Sequence, residues 1–201
     1  MSRAGREWVS PVRLEGLLAA LEPLAMGQLE GLYAASRDRR IWEYMLGDRP
    51  ENLEEMRSLL EEILRDVSAG SRVCFTVRNR ETGEVLGSTS YLEISERDRR
   101  LEIGYTWLDP RYWRTAINTE CKLLLLGHAF EALGAVRVQL KTDARNERSR
   151  RAIERLGAEF EGILRCYQTR FDGYVRDTAL YSIVAREWPE VKARLEAMLA
   201  R

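Results

Sequence analysis

The sequence predicts an α+β fold, a mixed and mostly antiparallel sheet with one central parallel pair and helices on both faces. Three observations predict it. Apolar and polar residues alternate over 73–77 and continue as strand texture over 85–94 and 99–108, with the turn Glu81-Thr82-Gly83-Glu84 between the first two. A strand–helix–strand–helix unit follows, and its crossover implies a parallel pair. Two more strands, over 159–170 and 175–184, flank a turn at Asp172-Gly173, giving a second antiparallel hairpin.

The remaining elements follow in order. Residues 12–24 read as extended structure broken near Gly16, with Pro23 at the end. Leu29, Leu32 and Tyr33 have helical spacing, which ends in the charged run 37–40. Pro50-Glu51-Asn52 opens a second helix, with Leu53, Met56, Leu60, Ile63, Leu64 and Val67 along one face and Gly70 closing it. After Pro110 a helix spans about 116–133 and stops at Gly134. A short apolar strand occupies 136–141, Asn146 to Leu156 forms a helix ended by Gly157, and a last helix starts near Pro189.

The chain has 201 residues, enough for one domain with a substantial core and short for two. One domain is therefore expected over 1–201, with an N-terminal extension over 1–11 and a C-terminal helix over 187–201. A hydrophobic fraction of 45% beside a charged fraction of 32% is that of a globular protein. Lys+Arg and Asp+Glu are both 32, so no global field draws the chain to nucleic acid or an anionic membrane. Cys74, Cys121 and Cys166 lie far apart, without CxxC spacing and with one histidine to join them. Neither a disulfide framework nor a metal site is expected, and a reducing, cytoplasmic setting is. Arg3, Arg6 and Glu7 exclude a signal-peptide h-region at the start.

Chemistry concentrates in two stretches. In LEIGYTWLDPRYWRTAINTECKLLLLGHAF a strand runs through a turn into a helix. Unpaired N–H groups at a helix start attract anions. Arg111 and Arg114 place positive charge where it opposes the helix dipole, a conflict that a phosphate would relieve and that side chains pointing into water would also tolerate. His128 shares the stripe of Cys121, Leu124, Leu125 and Ala132 and is read as structural. As the sole histidine it leaves a Ser-His-Asp or Cys-His enzyme without its base. In KTDARNERSRRAIERLGAEFEG, Asn146 is a good N-cap and Ser149 shares a helix face with Ile153 and Leu156.

Residues from about Val12 to Trp188 resemble the GNAT acetyltransferase superfamily, most closely its ribosomal-protein-alanine N-acetyltransferase-like branch. The resemblance is carried by EIGYTWLDPRYWRTAINTE, by KTDARNERSRRAIERLGAEFEG and by DGYVRDTALYS, with the element order. It implies a sheet splayed between the strand ending at Leu108 and the strand ending at Lys141, with acetyl-CoA in the opening. The family's pyrophosphate turn, Gln/Arg-x-x-Gly-x-Gly/Ala, matches Arg111 to Ala116, with Arg114 in place of the first glycine and Ala116 as an allowed variant. The turn and helix start thus imply contacts at Arg111, Arg114, Thr115, Ala116, Ile117 and Asn118. Asn146 and Ser149 match the Asn-x-x-Ser that meets the pantetheine arm, and main-chain groups near Trp107 and Leu108 would polarise the thioester carbonyl.

The implied activity is direct transfer of an acetyl group from acetyl-CoA to a primary amine, on a protein N-terminus or a small molecule, through a ternary complex. The amine must lose a proton and the departing thiolate gains from one. Ser149 is the expected donor, with Tyr167 as an alternative. Glu102 is the first candidate base, facing either the cleft or solvent, and Asp177 is a weaker one. A glutamate that some relatives carry before the Asp-Gly turn is replaced here by Gln168 and Thr169. Trp42, Tyr44, Trp107 and Trp113 either wall the acceptor pocket or pack. A non-catalytic acyl-CoA sensor with the same fold is the alternative, and a homodimer is left open.

Overall fold

The structure, a computed structural model, describes residues 8–200. One eight-stranded sheet organises the chain: β1 (Leu14–Glu15), β2 (Ala19–Pro23), β3 (Val73–Asn79), β4 (Val85–Ser95), β5 (Arg100–Leu108), β6 (Arg137–Asp143), β7 (Glu159–Thr169) and β8 (Val175–Val184). Their spatial order is β1-β2-β3-β4-β5-β6-β8-β7, every neighbouring pair antiparallel except β5 and β6. The predicted fold class is the observed one. The helices are α1 (Leu29–Ala35), α2 (Leu53–Ser68), α3 (Ala116–Gly127), α4 (Glu147–Leu156) and α5 (Trp188–Leu199).

Two apolar clusters lie on opposite faces of the sheet. The larger joins Phe75, Tyr91, Leu101, Ile103, Val138 and Leu140 to residues of α3, α4 and α5, among them Leu125, Ile153 and Trp188. The smaller joins Leu29, Leu32, Met56 and Leu60 of α1 and α2 to Cys74 and Val85. The strand alternation thus turns Leu101 and Ile103 to the α3 face and leaves Glu102 and Gly104 to the α1/α2 face.

Local chemistry fixes the ends of these elements. Asn52 caps α2, its Oδ1 accepting from Glu55 N at 2.9 Å while the Glu55 carboxylate takes the Glu51 N–H at 2.8 Å. Asn146 caps α4 by accepting from Ser149 N at 3.0 Å, and Gly157 (φ +101°) closes it in the left-handed conformation. The helix expected over 116–133 is regular only to Gly127, then widens to a π-helical segment, His128–Ala132. His128 is structural as expected, stacked on Tyr91 with Nδ1 3.3 Å from its hydroxyl.

Two charged residues interrupt the apolar surface of α3. Glu120 and Lys122 are both buried on it. The Glu120 carboxylate accepts from the N–H groups of Leu17, Leu18 and Ala19 at 2.8, 2.8 and 2.6 Å, which pins the bend between β1 and β2. A Cβ at Gly16 would stand 2.3 Å from the Glu120 carboxyl carbon, so a side chain there would push the carboxylate off the bend. Most of the expected 1–11 extension lies outside the described residues. Of its described part, Trp8 donates to the Leu133 carbonyl at 2.9 Å and Val9 is buried.

Candidate active site

The parallel pairing of β5 and β6 is short. It covers Arg100↔Arg137, Leu101↔Val138 and Glu102↔Gln139, and beyond Glu102 the strands part. β6 stays paired with β8 as far as Asp143↔Thr178, while β5 stays with β4. Their facing edges, 103–108 and 140–143, therefore have no strand partner across the gap. A bulge accompanies the divergence: the β4–β5 register slips between Ser88↔Trp107 and Ser90↔Gly104, and Tyr105 adopts φ +46°. Gly87 is packed so closely against this bulge that a Cβ would lie 2.0 Å from the Trp107 carbonyl.

The gap opens a cavity of about 490 Å³ that reaches both faces of the sheet. On the α3 face it is lined by Arg114, Thr115, Asn118, Asn146 and Ser149, at the starts of α3 and α4. On the α1/α2 face it is lined by Glu102, Gln168 and Arg176 and by residues 44–46 of the loop after α1. Trp107 and Leu108 line it between the two. The splay thus brings most of the sequence-predicted site residues together.

Arg114 has φ +62°, the left-handed region that favours glycine. The turn keeps a glycine-like backbone with an arginine in it, at a cost of about 1 kcal/mol. Thr115 caps α3, its Oγ1 accepting from Ile117 N at 3.4 Å while donating to the Tyr112 carbonyl at 2.8 Å. The first N–H groups of α3 are left without intrahelical acceptors, as at any helix start. Trp113 steadies the turn by donating to the Leu108 carbonyl at 2.8 Å.

Five expected site residues bring no side chain into the cavity. The Arg111 guanidinium turns out of the cavity, held by Asp109 at 2.8 Å and Glu84 at 2.7 Å. Those two carboxylates hold it fully charged, so it fastens the turn to the β3–β4 hairpin. Ile117 buries its side chain in the core, and Ala116 does not line the cavity, so each offers only main chain. Tyr167 stands outside, its ring 4.8 Å from Lys141 Nζ, and Asp177 is exposed with Oδ1 taking the Cys166 N–H. Of the four aromatics, Tyr44, Trp107 and Trp113 line the cavity, while Trp42 is buried 6.0 Å from the Trp107 ring.

Sequence reasoning missed the cations of α4. Arg148, Arg151 and Arg155 line the cavity, and the Arg148 guanidinium lies 3.6 Å over the Trp113 ring. Their i, i+3, i+7 spacing is a stripe that the sequence did carry. Arg148 and Arg114 each lack an ion pair among the described residues, and Arg148 is pulled below the ordinary arginine range, first by burial. Lys122 was missed too. It reaches the cavity with Nζ on Thr106 Oγ1 at 2.8 Å, and burial pulls it down to about 8.

Glu102 is a buried carboxylate facing the cavity, which decides between its two sequence readings. It accepts from Lys141 Nζ at 2.9 Å and Gln139 Nε2 at 3.1 Å, and Lys141 is also paired with Glu93. Burial raises its pKa, and Lys141 restrains the rise.

Residues 20–159 match the acetyltransferase (GNAT) domain family. The chain belongs to the GNAT acetyltransferase family. It is 27% identical over 155 residues to the uncharacterised N-acetyltransferase YoaA of Bacillus subtilis (strain 168), spanning 77% of this chain and 86% of YoaA. A crystal structure from T. thermophilus, of a protein provisionally assigned to the acetyltransferases, superposes with TM-score 0.87 at 40% identity, covering 96% of this chain and 99% of that one. Mycobacterium smegmatis RimJ, in complex with CoA-disulfide, shares the fold at TM-score 0.77 and 24% identity, over 94% and 93% of the two chains. Proteins named as ribosomal-protein acetyltransferases are also among those it resembles. The chain is thus an acyl-CoA-dependent acetyltransferase with the expected GNAT fold.

Proposed function

We propose that this acetyltransferase moves an acetyl group from acetyl-CoA directly to a primary amine, on a protein N-terminus or a small molecule, within a ternary complex. The observation that carries the reading is the two-sided cavity, with anion-binding helix starts on one face of the sheet and a buried carboxylate on the other. That RimJ has been captured with a CoA species on the same fold supports it.

On the α3 face, the N–H groups at the start of α3 and the guanidinium groups of Arg114 and Arg148 suit a pyrophosphate. Asn146 and Ser149 border the path from there into the splay. The thioester carbonyl would lie against the unpartnered edge of β5 near Trp107 and Leu108, where main-chain donors stabilise the developing oxyanion. The amine enters from the α1/α2 face beside Glu102. As its nitrogen bonds to the carbonyl carbon, its proton passes to Glu102, directly or through one water. The carbon–sulfur bond then breaks, the Ser149 hydroxyl donates its proton to the thiolate as it regains one from water, and Glu102 releases its proton to solvent, so both side chains end as they began. A raised carboxyl pKa improves Glu102 as a base, because its carboxylate then binds a proton more strongly.

Incubation with acetyl-CoA and a panel of N-terminal peptides and small amines, read by thiol release and mass spectrometry, tests this. One acetyl group gained per CoA released is expected. CoA release with no acetylated acceptor would contradict it.

A further inference from the structure

The α1/α2 wall of the cavity holds a cation that the transfer step leaves unused. Arg176, at the start of β8, is 7% exposed and lines the cavity. Its Nε donates to Thr178 Oγ1 at 3.2 Å, one terminal nitrogen to the Tyr44 carbonyl at 3.3 Å, and the other to Gln168 Oε1 at 2.9 Å. All three acceptors are neutral. A guanidinium carries five N–H donors, so a hydrogen on each terminal nitrogen remains to be placed.

Among the described residues Arg176 forms no ion pair, and the carboxylates whose fields reach it are already taken. Asp143 is held by Arg145 at 2.8 Å, and Glu102 by Lys141 at 2.9 Å. The neighbouring Arg170 adds repulsion, and its own Nε is buried without a partner. Burial pulls Arg176 below the ordinary arginine range, as expected of a charge left uncompensated. The phosphates of acetyl-CoA do not supply the missing anion on this reading. Their cations, Arg114 and Arg148, stand at the helix starts on the other face.

The strand register puts Arg176 on the acceptor's side. Glu102 pairs with Gln139 and Asp143 with Thr178, and Gln139, Lys141 and Asp143 alternate onto one face of β6. Arg176 shares that face through Thr178, two residues along β8. A molecule that places its amine beside Glu102 therefore extends along this wall toward Arg176.

We propose that Arg176 receives a carboxylate carried by the acceptor, so that the substrate is an amine that also bears a carboxylate. The proposal rests on the acetyl-transfer reading above and narrows its substrate class. The planar fork suits a two-point grip on a carboxylate. The same buried charge disfavours polyamines and aminoglycosides, whose extra cations would meet it. A free amino acid and a peptide with an acidic residue near its amino end share this chemistry.

The test uses acceptors matched except at the carboxylate. One arm pairs free amino acids with their carboxamides. The other pairs tripeptide amides carrying glutamate at the second position with the same peptides carrying glutamine. The carboxylate member of at least one arm should be preferred by about tenfold or more in kcat/KM, mainly through KM, and the arm that shows it identifies the source. Arg176→Gln should abolish the preference by raising KM for the carboxylate member alone. Arg176→Lys should keep part of it, and acetyl-CoA affinity should hold in both variants. A second measurement needs no turnover: the carboxylate member should raise the Tm of the CoA-bound protein more than its amide does. A larger Tm rise with the carboxylate member but no transfer to either would preserve this inference and sink the acetyl-transfer reading. Transfer at equal rates to both members, no Tm difference in either arm, or an unchanged preference in Arg176→Gln would overturn the inference.

Discussion

Replacing Glu102 by glutamine tests the proposed base with little disturbance of its surroundings. The glutamine carbonyl can accept the hydrogen bonds that Lys141 and Gln139 now give the carboxylate. Lys141 keeps Glu93 as a counter-ion, so the about 3–5 kcal/mol cost of orphaning a buried charge does not arise. A general base contributes roughly 10²–10⁴-fold, so kcat should fall by about that factor while acetyl-CoA affinity is unchanged. The pH profile gives the sharper signature. A productive encounter needs a neutral amine and an ionised Glu102, so log kcat/KM in the wild type should steepen from slope one to slope two at low pH. The break should fall above the ordinary glutamate value of 4.5, because burial raises Glu102. The variant should keep slope one throughout. For stability the sign is opposite to the usual carboxylate case. The raised pKa contributes stability below the ordinary glutamate range, and that contribution is lost as pH rises through the raised value. The variant's denaturation midpoint should therefore improve relative to wild type on going from acid to neutral pH. A break that persists in Glu102→Gln, or a loss of activity under threefold, would refute the assignment.

Other substitutions probe the frame around the site. Glu120→Ala removes the acceptor of three N–H groups at the β1–β2 bend, and with about 1–3 kcal/mol for each fully buried orphan the loss should be on the order of 3 kcal/mol in urea denaturation. Lys122→Met should stabilise the free protein at neutral pH. A lysine pulled from 10.5 to about 8 forfeits on the order of 3 kcal/mol while charged, of which the lost Thr106 hydrogen bond returns about 1. That gain should vanish above the unfolded lysine value, where both states are neutral, and denaturation at pH 7 and near pH 11 would show it. Arg148→Ala should raise the acetyl-CoA Kd by about tenfold at low salt, measured by calorimetry, since it removes a cation without an ion pair near the helix starts.

Local patterns carried most of the fold. Strand alternation, the Asn52 and Asn146 caps and the Gly157 stop each depend on a few neighbouring residues, and all three recur in the structure. The cavity-lining residues Arg114, Thr115 and Asn118 were legible because a strand, a turn and a helix follow one another in sequence there. What was hidden depends on contacts distant along the chain. Glu120 reaches back about a hundred residues to cap the β1–β2 bend. Arg111 is held by its near neighbour Asp109, but its second partner, Glu84, stands 27 residues back in the β3–β4 turn, where local spacing does not show it. Arg176 gives no local signal either, since its isolation follows from Arg145 and Lys141 having taken the nearby carboxylates.

The central claim is that acetyl-CoA binds at the turn around Arg114, and a calorimetric titration of acetyl-CoA tests it most directly. Arg114→Gly suits the left-handed backbone and removes the side chain with its charge, so Kd should rise modestly, by about five- to tenfold. Arg114→Glu adds an anion to the proposed phosphate site and should weaken binding about a hundredfold or more. The predicted result is wild-type saturation, graded weakening in glycine and then glutamate, and unchanged folding in both. Equal affinity in Arg114→Glu and wild type would contradict the account.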